Sequence, residues 1–388
     1  MATWTLDSGV THINHGSFGA TPIEVLDVQS GLRAQMEANP VGFMLHDYQP
    51  LLEESRAAVG DFVGAGVDGL VFVPNATYGV NSVLRSLEGV LRPGSEIVVT
   101  NQTYNACRNA ADFIADRIGA SVVVADVPFP VASPSEVVES ILGVVTDRTR
   151  LVMLDHVTSP TGAIWPVAEI TAALEPEIPV LIDGAHAPGM LDLDIETIGA
   201  SFYTANCHKW MCSPKGAAFL WVAERHREYT RAVSISHGYN DGWPGSGSSF
   251  HAQFDWTGTD DPTARLSVGS AIEVMSNHRD DGWEGVRRSN HELVLEGRDI
   301  IANVLDTPPP LPNDMLGSIA ALALPAPMTA DDSIFDELMV DLHHKWKIEV
   351  PVFAWPEPPN RVIRISAQQY NTVADYERLA KALQTELH

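Results

Sequence analysis

The chain has 388 residues, 45% of them hydrophobic, which is enough for a large core and for more than one domain. Its formal net charge of −26 argues against binding to nucleic acid, because such proteins present clustered Lys and Arg to the phosphate backbone. The same charge disfavours binding to an anionic membrane surface.

The cysteines and the N-terminal segment bear on the cellular compartment. Three cysteines, none in a CxxC pair, are too few for a disulfide framework and indicate a reducing environment. The N-terminus lacks the basic start and apolar run of a signal peptide, and no apolar stretch reaches the roughly 20 residues that cross a bilayer. We therefore expect a cytoplasmic protein without a membrane partner.

Seven short apolar runs predict β-strands, and helical patterns such as 78–89 and 135–145 lie between them. Each run is continuously apolar, as expected of strands that are covered on both faces. This alternation is typical of an α/β domain with a mostly parallel sheet, which we place at residues 20–270. The predicted strands are 69–73, 96–100, 121–127, 150–157, 179–185, 201–206 and 217–223.

The pattern changes towards the C-terminus. The Gly- and Ser-rich segment 238–253 predicts a loop. After residue 270 come a helical stretch, a Pro-rich link (TPPPLPND), an isolated apolar run (SIAALALP), the strand-like RVIRISA and a terminal helix. This order suits a small α+β domain of residues 271–388, against which the N-terminal arm, residues 1–19, is expected to pack.

Two polar clusters follow neighbouring apolar runs. Asp183 and His186 stand at the end of one run, and His208 and Lys209 follow the next. Ligands of parallel sheets bind beyond the carboxyl ends of the strands. Alone, such an Asp usually forms a turn and such a Lys is usually solvated. Together they favour a lysine that carries an imine and a carboxylate that faces a pyridinium nitrogen.

These clusters resemble the pyridoxal 5′-phosphate signature of class V aminotransferase-like enzymes, which have fold type I. The resemblance is closest to the isopenicillin N epimerase-like branch, which includes C–S lyases of ergothioneine synthesis and lincosamide-pathway enzymes that process cysteine S-conjugates. It implies a large domain on a mostly parallel seven-stranded sheet, a small α+β domain and a homodimer. The motifs that carry it are NHGSFGATP (14–22), FVPNATYGVNSVLRSL (72–87), LDHVTSPTG (154–162), ANCHKW (205–210), WTGTDDPT (256–263) and IRISAQQYNT (363–372).

The resemblance implies roles for residues around the cofactor ring. Lys209 would carry pyridoxal phosphate and move the Cα proton of an amino acid substrate. Asp183 would keep the pyridine nitrogen protonated, and His186 would contact the phenolic oxygen. Tyr104, which we also regard as a catalytic candidate, is expected to stack on the ring, although a half-buried structural aromatic is nearly as good an interpretation. No metal ion is expected.

A second group of residues is expected to hold the phosphate. Asn75, Ala76 and Thr77 end a strand and open a helix, whose first N–H groups and Thr hydroxyl suit an anion, although such a stretch is usually just a helix cap. By resemblance, Asn206 and His208 add side-chain contacts. The list is completed by Thr259, which in this family reaches the phosphate of the neighbouring subunit and so implies a homodimer with shared sites.

Three residues are candidates for binding the substrate. Strand alternation places Arg364 on the face opposite Ile363 and Ile365, and an inward Arg would bind an α-carboxylate. Ser159 occupies a position where cysteine desulfurases carry an Asn. His15 stands where isopenicillin N epimerase has a Thr, and we expect it on the substrate side, with a possible catalytic part.

The expected reaction is β-elimination of a cysteine S-conjugate by a C–S lyase, and the expected context is the biosynthesis of a specialised metabolite such as an antibiotic. No cysteine follows Cys212, which excludes the persulfide mechanism of cysteine desulfurases through a Cys in that region. The same residues also suit an amino acid epimerase, an oxidative decarboxylating enzyme that gives an aldehyde, or a transaminase. A non-catalytic binding protein of the same fold is a further alternative, but Lys209, Asp183 and the phosphate contacts are intact.

Overall fold

A computed structural model of the protein describes residues 3–242, 245–325 and 336–387. Within these ranges the strands form one seven-stranded, one three-stranded and one two-stranded sheet. The strands in chain order are β1 (Thr11–His12), β2 (Leu70–Val73), β3 (Glu96–Thr100), β4 (Ser121–Ala125), β5 (Thr149–Asp155), β6 (Val180–Asp183), β7 (Phe202–Asn206), β8 (Ala218–Val222), β9 (Ile319–Leu324), β10 (Ile348–Glu349), β11 (Val352–Ala354) and β12 (Arg361–Ser366).

Helices connect these strands, and no helix in the described ranges is long and apolar enough to cross a membrane. The α-helices are α1 (His15–Phe18), α2 (Ile23–Ala38), α3 (Pro40–Gly42), α4 (Tyr48–Val63), α5 (Ala76–Ser86), α6 (Asn105–Ile118), α7 (Pro134–Leu142), α8 (Val167–Leu174), α9 (Ile195–Ile198), α10 (Glu224–Arg227), α11 (Ser249–Asp255), α12 (Thr263–Leu266), α13 (Val268–Ser276), α14 (Gly282–Leu305), α15 (Glu337–Trp346) and α16 (Val373–Glu386). A π-helical turn, Phe43–Asp47, precedes α4.

The large sheet has the strand order β2-β8-β7-β6-β5-β3-β4. Strands β3 to β7 run parallel to their neighbours among themselves, whereas β8 is antiparallel to both β2 and β7. Six of the seven strands lie within the predicted apolar runs, and β5 begins one residue before its run, at Thr149. The prediction of an α/β fold with a mostly parallel seven-stranded sheet is therefore confirmed.

Burial on both faces of the sheet explains why the strands are continuously apolar. In β6, Val180 and Ile182 belong to one hydrophobic cluster and Leu181 to the cluster on the other side of the sheet. Successive side chains of a strand point to opposite faces, so both sets must be apolar when helices cover both. The exception is the edge strand β4, where Ser121 is exposed and Val124 is 38% exposed, so the expectation that every strand is covered on both faces was wrong there.

The segment 238–253, predicted as a loop, contains regular structure. Helix α11 begins inside it because the Ser248 side chain accepts a hydrogen bond from the His251 main chain and caps the helix. Phe250 and Phe254 on this helix are buried in the cluster that covers one face of the large sheet. Buried apolar residues at helical spacing thus give a helix in a segment whose Gly- and Ser-rich composition predicted a loop.

The C-terminal part of the chain forms the second sheet, of order β11-β12-β9, in which both pairs of strands are antiparallel. Helices α14 and α16 pack against each other, and α14 also packs on β9. The N-terminal arm joins this region through β1, which pairs in parallel with β10.

Candidate active site

The carboxyl ends of three adjacent parallel strands bring the predicted polar residues together. Strand β5 ends at Asp155, β6 at Asp183 and β7 at Asn206, and Asp155 and Asp183 are register partners. Register partners on neighbouring strands point to the same face of the sheet, so the two carboxyl groups lie side by side. Lys209 follows β7 after a short turn.

The Lys209 amine is held in a low-dielectric position at this edge. Burial, and after it the charge of the Arg364 guanidinium, lowers the pKa of Lys209 to about 8, although the carboxylate of Asp183 acts in the opposite direction. Among the described residues Lys209 forms no ion pair. A substantial fraction of neutral amine is therefore present near neutral pH, as an imine-forming lysine requires.

The His186 ring links Lys209 to the indole of Trp210. Trp210 Nε1 donates to His186 Nδ1 at 3.3 Å, and His186 Nε2 lies 3.0 Å from Lys209 Nζ. An indole N–H can only donate, so Nδ1 must be unprotonated and the neutral ring carries its proton on Nε2. Burial, followed by the charge of Lys209, holds the pKa of His186 well below its ordinary value. His186 thus presents its Nε2–H to the Lys209 amine, which can accept this hydrogen bond when the amine is neutral.

Asp183 is buried and already accepts two hydrogen bonds. Its Oδ2 accepts from the Cys107 thiol at 3.1 Å, and its Oδ1 accepts from the Ala185 main chain at 3.0 Å. Burial raises the pKa of Asp183, and burial together with the charge of Asp183 raises that of Asp155 well above the usual range. Asp155 Oδ2 is buried and has no hydrogen-bond partner in the described structure. Of these two carboxyl groups, that of Asp155 is the more readily protonated.

The predicted phosphate residues surround the N-terminus of α5. Asn75 caps this helix by accepting from the Tyr78 main chain at 2.9 Å, and the Ala76 N–H donates to Asn206 Oδ1 at 2.9 Å. The Ala76 N–H and the Asn206 side-chain oxygen are therefore hydrogen-bonded to each other, and the contacts of both residues with phosphate stay predictions. Thr77, at the second position of the helix, is half-buried.

His208 and Thr259 differ in their surroundings. His208 Nδ1 donates to the Ala217 carbonyl oxygen at 2.8 Å, and burial lowers the pKa of the ring to about 4. Its free Nε2 could donate to a phosphate only if the ring were protonated, which a nearby dianion would favour. Thr259 is exposed on the surface of the single chain, so its predicted contact with a neighbouring subunit stays a prediction.

Arg364 on β12 is a buried cation that faces the same cleft. Its Nη1 donates to the Ser159 carbonyl oxygen at 2.6 Å, and its Nη2 donates to Ser17 Oγ at 3.0 Å. Burial lowers the pKa of Arg364 to about 10, and among the described ion pairs none includes it. A buried guanidinium without a carboxylate partner suits an anionic ligand. Ser159, a predicted substrate residue, helps to orient this Arg.

His15 is hydrogen-bonded to protein groups through both ring nitrogens. Its Nε2 donates to the Lys209 carbonyl oxygen at 3.0 Å, and its Nδ1 accepts from the Tyr370 hydroxyl at 3.1 Å. Burial lowers the pKa of His15 to about 4, so the ring is neutral. These contacts suit a residue that holds the Lys209 main chain, and a contact of His15 with substrate stays a prediction.

Tyr104 precedes α6 and borders the cleft from the other side. Its side chain is 45% exposed, and its main-chain N–H hydrogen-bonds to the carboxyl group of Asp155. The phenol is near enough to Arg364 to interact with its charge. The ring thus faces open space between the two sheets, and its stacking on the cofactor stays a prediction.

Several residues of this site were not identified from the sequence. They are Asp155 and Cys107 near Asp183, Trp210 beside His186, and Asn14 and Ser17 on Arg364. Asp155 carried the same signal as Asp183, since it ends the apolar part of its own run. The other contacts join residues that are far apart in sequence, so no local pattern predicts them.

The residues present fit pyridoxal phosphate. The buried Asp183 carboxyl group, the Lys209 amine, which has no ion pair among the described residues, and the half-buried N-terminal turn of α5 suit a cationic ring nitrogen, an aldehyde and a phosphate, respectively. The model of the family described as Aminotransferase class-V matches residues 19–335, more than half of the chain. The chain belongs to the class V aminotransferase family. Pyridoxal 5′-phosphate is therefore its cofactor, and it is an enzyme.

Curated relatives cover nearly the full length. A putative L-cysteine desulfhydrase 1 of Oryza sativa subsp. japonica is 32% identical, with 97% of this chain and 83% of that protein aligned. The isopenicillin N epimerase of Amycolatopsis lactamdurans is 33% identical over 98% of this chain and 96% of that protein. The hercynylcysteine sulfoxide lyase of Schizosaccharomyces pombe is 26% identical over 80% of each. The resemblance to the isopenicillin N epimerase-like branch is thereby confirmed.

A solved structure supports the fold. The cysteine desulfurase CsdA from Escherichia coli superposes with a TM-score of 0.78 over 99% of this chain and 96% of that chain, at 19% sequence identity. At this identity the similarity concerns the architecture alone. It agrees with the fold type I architecture expected from the sequence.

Proposed function

We propose that the enzyme is a C–S lyase that cleaves cysteine S-conjugates by β-elimination. In the overall reaction an S-substituted cysteine and water give pyruvate, ammonia and the free thiol. The observation that carries this proposal is the Lys209 amine, 3.0 Å from His186 Nε2 and with a pKa near 8, in the same cleft as Arg364. Such an amine can remove the Cα proton of a bound amino acid.

Arg364 binds the α-carboxylate in this proposal. Its planar fork offers parallel N–H groups to the two carboxylate oxygens, and Ser159 and Ser17 hold the guanidinium in place. The incoming anion also supplies the negative charge that a buried Arg lacks. Substrate binding is therefore favoured by an ion pair with Arg364 that the protein does not form by itself.

The proton at Cα passes to Lys209 Nζ. Pyridoxal phosphate, when bound, withdraws electrons from Cα, with Asp183 as the anionic partner of its ring nitrogen. The electron pair of the broken C–H bond forms the double bond between Cα and Cβ as the bond between Cβ and sulfur breaks. Sulfur leaves with its electron pair as a thiolate and takes up a proton, and the resulting 2-aminoacrylate reacts with water to give pyruvate and ammonia.

Relatives named L-cysteine desulfhydrase and hercynylcysteine sulfoxide lyase support a reaction at a carbon–sulfur bond. The three cysteines of this chain are all buried, and none lies after position 212. A reaction that expels the thiol needs no sulfur-accepting cysteine. β-Elimination therefore agrees with both the relatives and the residues of the cleft.

The test is to incubate the holoenzyme with S-ethylcysteine and measure pyruvate and ethanethiol. Wild-type protein should release both in equal amounts, and Lys209→Ala should release neither. Lys381→Ala, which alters an exposed lysine on α16, is the matched control and should be as active as wild type. Recovery of the substrate with an inverted Cα and without thiol would reject the lyase.

An amino acid epimerase is the second candidate, because the Amycolatopsis lactamdurans epimerase is 33% identical to this chain. Epimerisation also begins with removal of the Cα proton, but it returns a proton to the opposite face. Tyr104, whose phenol faces the open cleft, would then be the second acid–base group. Incubation in deuterium oxide separates the two, because an epimerase returns substrate that is both labelled and inverted at Cα, whereas a lyase returns label only with the original configuration.

A further inference from the structure

We infer that a cavity between Tyr104 and Trp355 binds the sulfur substituent of the substrate, and that this substituent is uncharged and largely apolar. The inference rests on the proposed lyase function and names its class of substrate. The cavity has a volume of about 300 Å³. It is lined by Asn101, Gln102, Thr103, Tyr104, Asn105, Ser159, Pro160, Phe353 and Trp355.

The lining is apolar and carries no formal charge. Rings of Tyr104, Phe353, Trp355 and Pro160 supply most of the wall, and the polar lining residues are amides and hydroxyls. A charged group placed here would lose water without gaining an ionic partner, which is unfavourable. A flat or aliphatic group would instead bury apolar surface against the rings.

The cavity adjoins the group that we expect to bind the substrate carboxylate. Arg364 Nη1 donates to the carbonyl oxygen of Ser159, which lines the cavity, and the guanidinium lies 5.7 Å from the ring centre of Phe353, which also lines it. An amino acid bound through its carboxylate at Arg364 therefore has the cavity beside it. Tyr104 is the one residue that both lines the cavity and is expected to contact the cofactor.

The Trp355 wall of the cavity is packed against other side chains. Trp355 is 7% exposed, packs with Ala321 and Val362, and meets the Phe129 ring edge-on at a centroid distance of 4.7 Å. The thiol of cysteine itself is too small to fill 300 Å³. A preformed cavity of this size at the carboxylate site indicates a larger sulfur substituent.

The test uses analogues in which a methylene replaces sulfur, so that Cβ has no leaving group. Dissociation constants of the holoenzyme for norvaline, 2-amino-4-phenylbutanoate and 2-aminoadipate are measured by titration calorimetry. The phenyl compound should bind at least about tenfold more tightly than norvaline, because its ring enters the cavity. The anionic 2-aminoadipate should bind no more tightly than norvaline.

Two variants change the cavity in opposite directions. Trp355→Ala removes one wall, and Asn105→Trp fills the space from an exposed lining position without removing a packed side chain. Both should reduce the preference for phenyl over norvaline to below about threefold. Trp346→Ala, on α15, is the matched control and should retain it, since Trp346 bonds Glu386 outside the cavity. If Trp355→Ala fails to fold, the phenyl preference measured for Asn105→Trp alone decides whether the cavity binds the substituent.

The outcomes separate this inference from the proposed function. Equal binding of norvaline and the phenyl compound to wild type, or a preference that survives both cavity variants, overturns the inference. A clear phenyl preference with no pyruvate from S-phenylcysteine or S-methylcysteine leaves the cavity assignment standing and rejects the lyase. Pyruvate from both at equal kcat/KM, with no phenyl preference in binding, leaves the lyase standing and rejects the cavity.

Discussion

Lys209 carries an unfavourable charge whenever its amine is protonated in the folded protein. Its pKa falls from an ordinary 10.5 to about 8, chiefly through burial. The unfolded chain therefore binds more protons than the folded one between these values, so the apoenzyme should become more stable as pH rises from 8 to 10.5. Below pH 8 the full cost of the charged amine remains.

Replacing Lys209 with Met should therefore stabilise the apoenzyme while abolishing activity. At pH 7 we expect a gain of about 2 kcal/mol in the free energy of unfolding, after allowance for solvent at the partly exposed side chain. The gain should shrink above pH 8 and vanish near pH 10.5. Urea unfolding at several pH values measures it, with Lys381→Met as the exposed control. A variant less stable than wild type at pH 7 would contradict the assignment.

Trp210 is expected to set the tautomer of His186. Its indole donates to Nδ1 at 3.3 Å, which leaves the proton on Nε2. In Trp210→Phe this bond of about 1 kcal/mol is lost, so the share of the Nδ1–H tautomer should rise about fivefold. Nitrogen-15 NMR of the His186 ring in the apoenzyme measures the tautomers directly, at a pH above 8 where most of the neighbouring Lys209 amine is neutral.

Trp165→Phe is the matched control for this experiment. Trp165 is 1% exposed, as Trp210 is, but its Nε1 has no hydrogen-bond partner in the described structure. Both substitutions remove a buried indole, yet the Trp165 variant should leave the His186 spectrum unchanged. The same tautomer shift in both variants would mean that general loosening of the core, rather than the indole bond, is responsible.

At the scale of elements, one buried ion pair connects three parts of the large sheet region. Arg56 on α4 bonds Asp255 on α11 at 2.9 Å and the Leu70 carbonyl oxygen on β2 at 2.6 Å. The side chains of Arg56 and Asp255 are 0% and 1% exposed. Loss of Arg56 therefore leaves Asp255 Oδ1 and the Leu70 carbonyl oxygen without this donor, while Gln49 still donates to Asp255 Oδ2.

Arg56→Ala should lower the free energy of unfolding by about 3–5 kcal/mol, because one partner of a buried pair is left uncompensated. Arg117→Ala breaks an exposed pair with Glu88 and should cost less than about 1 kcal/mol. Denaturant unfolding of the two variants compares them. Similar losses for both would show that the pair around Arg56 does not hold these elements together.

Strands were easier to predict than the segments between them. In β6 the uninterrupted Val180, Leu181 and Ile182 reflect helices on both faces, and this pattern is visible in the sequence. The segment 238–253 was misassigned because Gly and Ser suggested a loop, whereas Ser248 caps α11 and two phenylalanines anchor it. The two phenylalanines stabilise this helix only when the large sheet is present for them to pack against.

At the scale of the whole molecule, the proposal of a homodimer with shared sites can be tested with mixed subunits. In a hybrid dimer, the Lys209→Ala chain has no active lysine of its own but supplies an intact Thr259 to the site of its partner. The Thr259→Glu chain keeps its own lysine and damages only the phosphate site of the other subunit. Mixing the two inactive chains should restore about a quarter of wild-type activity, because half of the dimers are hybrids with one intact site.

The control for this experiment is a mixture of Lys209→Ala with Arg364→Ala. Both residues belong to the cleft of one chain, where the Arg364 charge lowers the pKa of Lys209. Every hybrid of these chains has two damaged sites, so no activity should return. Absence of rescue in the first mixture, with exchange of subunits verified by mass, would place Thr259 outside the partner's site.

The amino-acid sequence alone determined the fold class through its continuously apolar strands, and the cofactor through the resemblance of its motifs to those of class V aminotransferase-like enzymes. The position after a strand also leaves local signals at Asp183, His186 and Lys209. Tertiary structure alone decided which groups surround them. The Cys107 thiol on Asp183, the Trp210 indole on His186 and the cavity near Arg364 depend on contacts between distant segments. Such contacts arise from packing, which brings together side chains that no local pattern links.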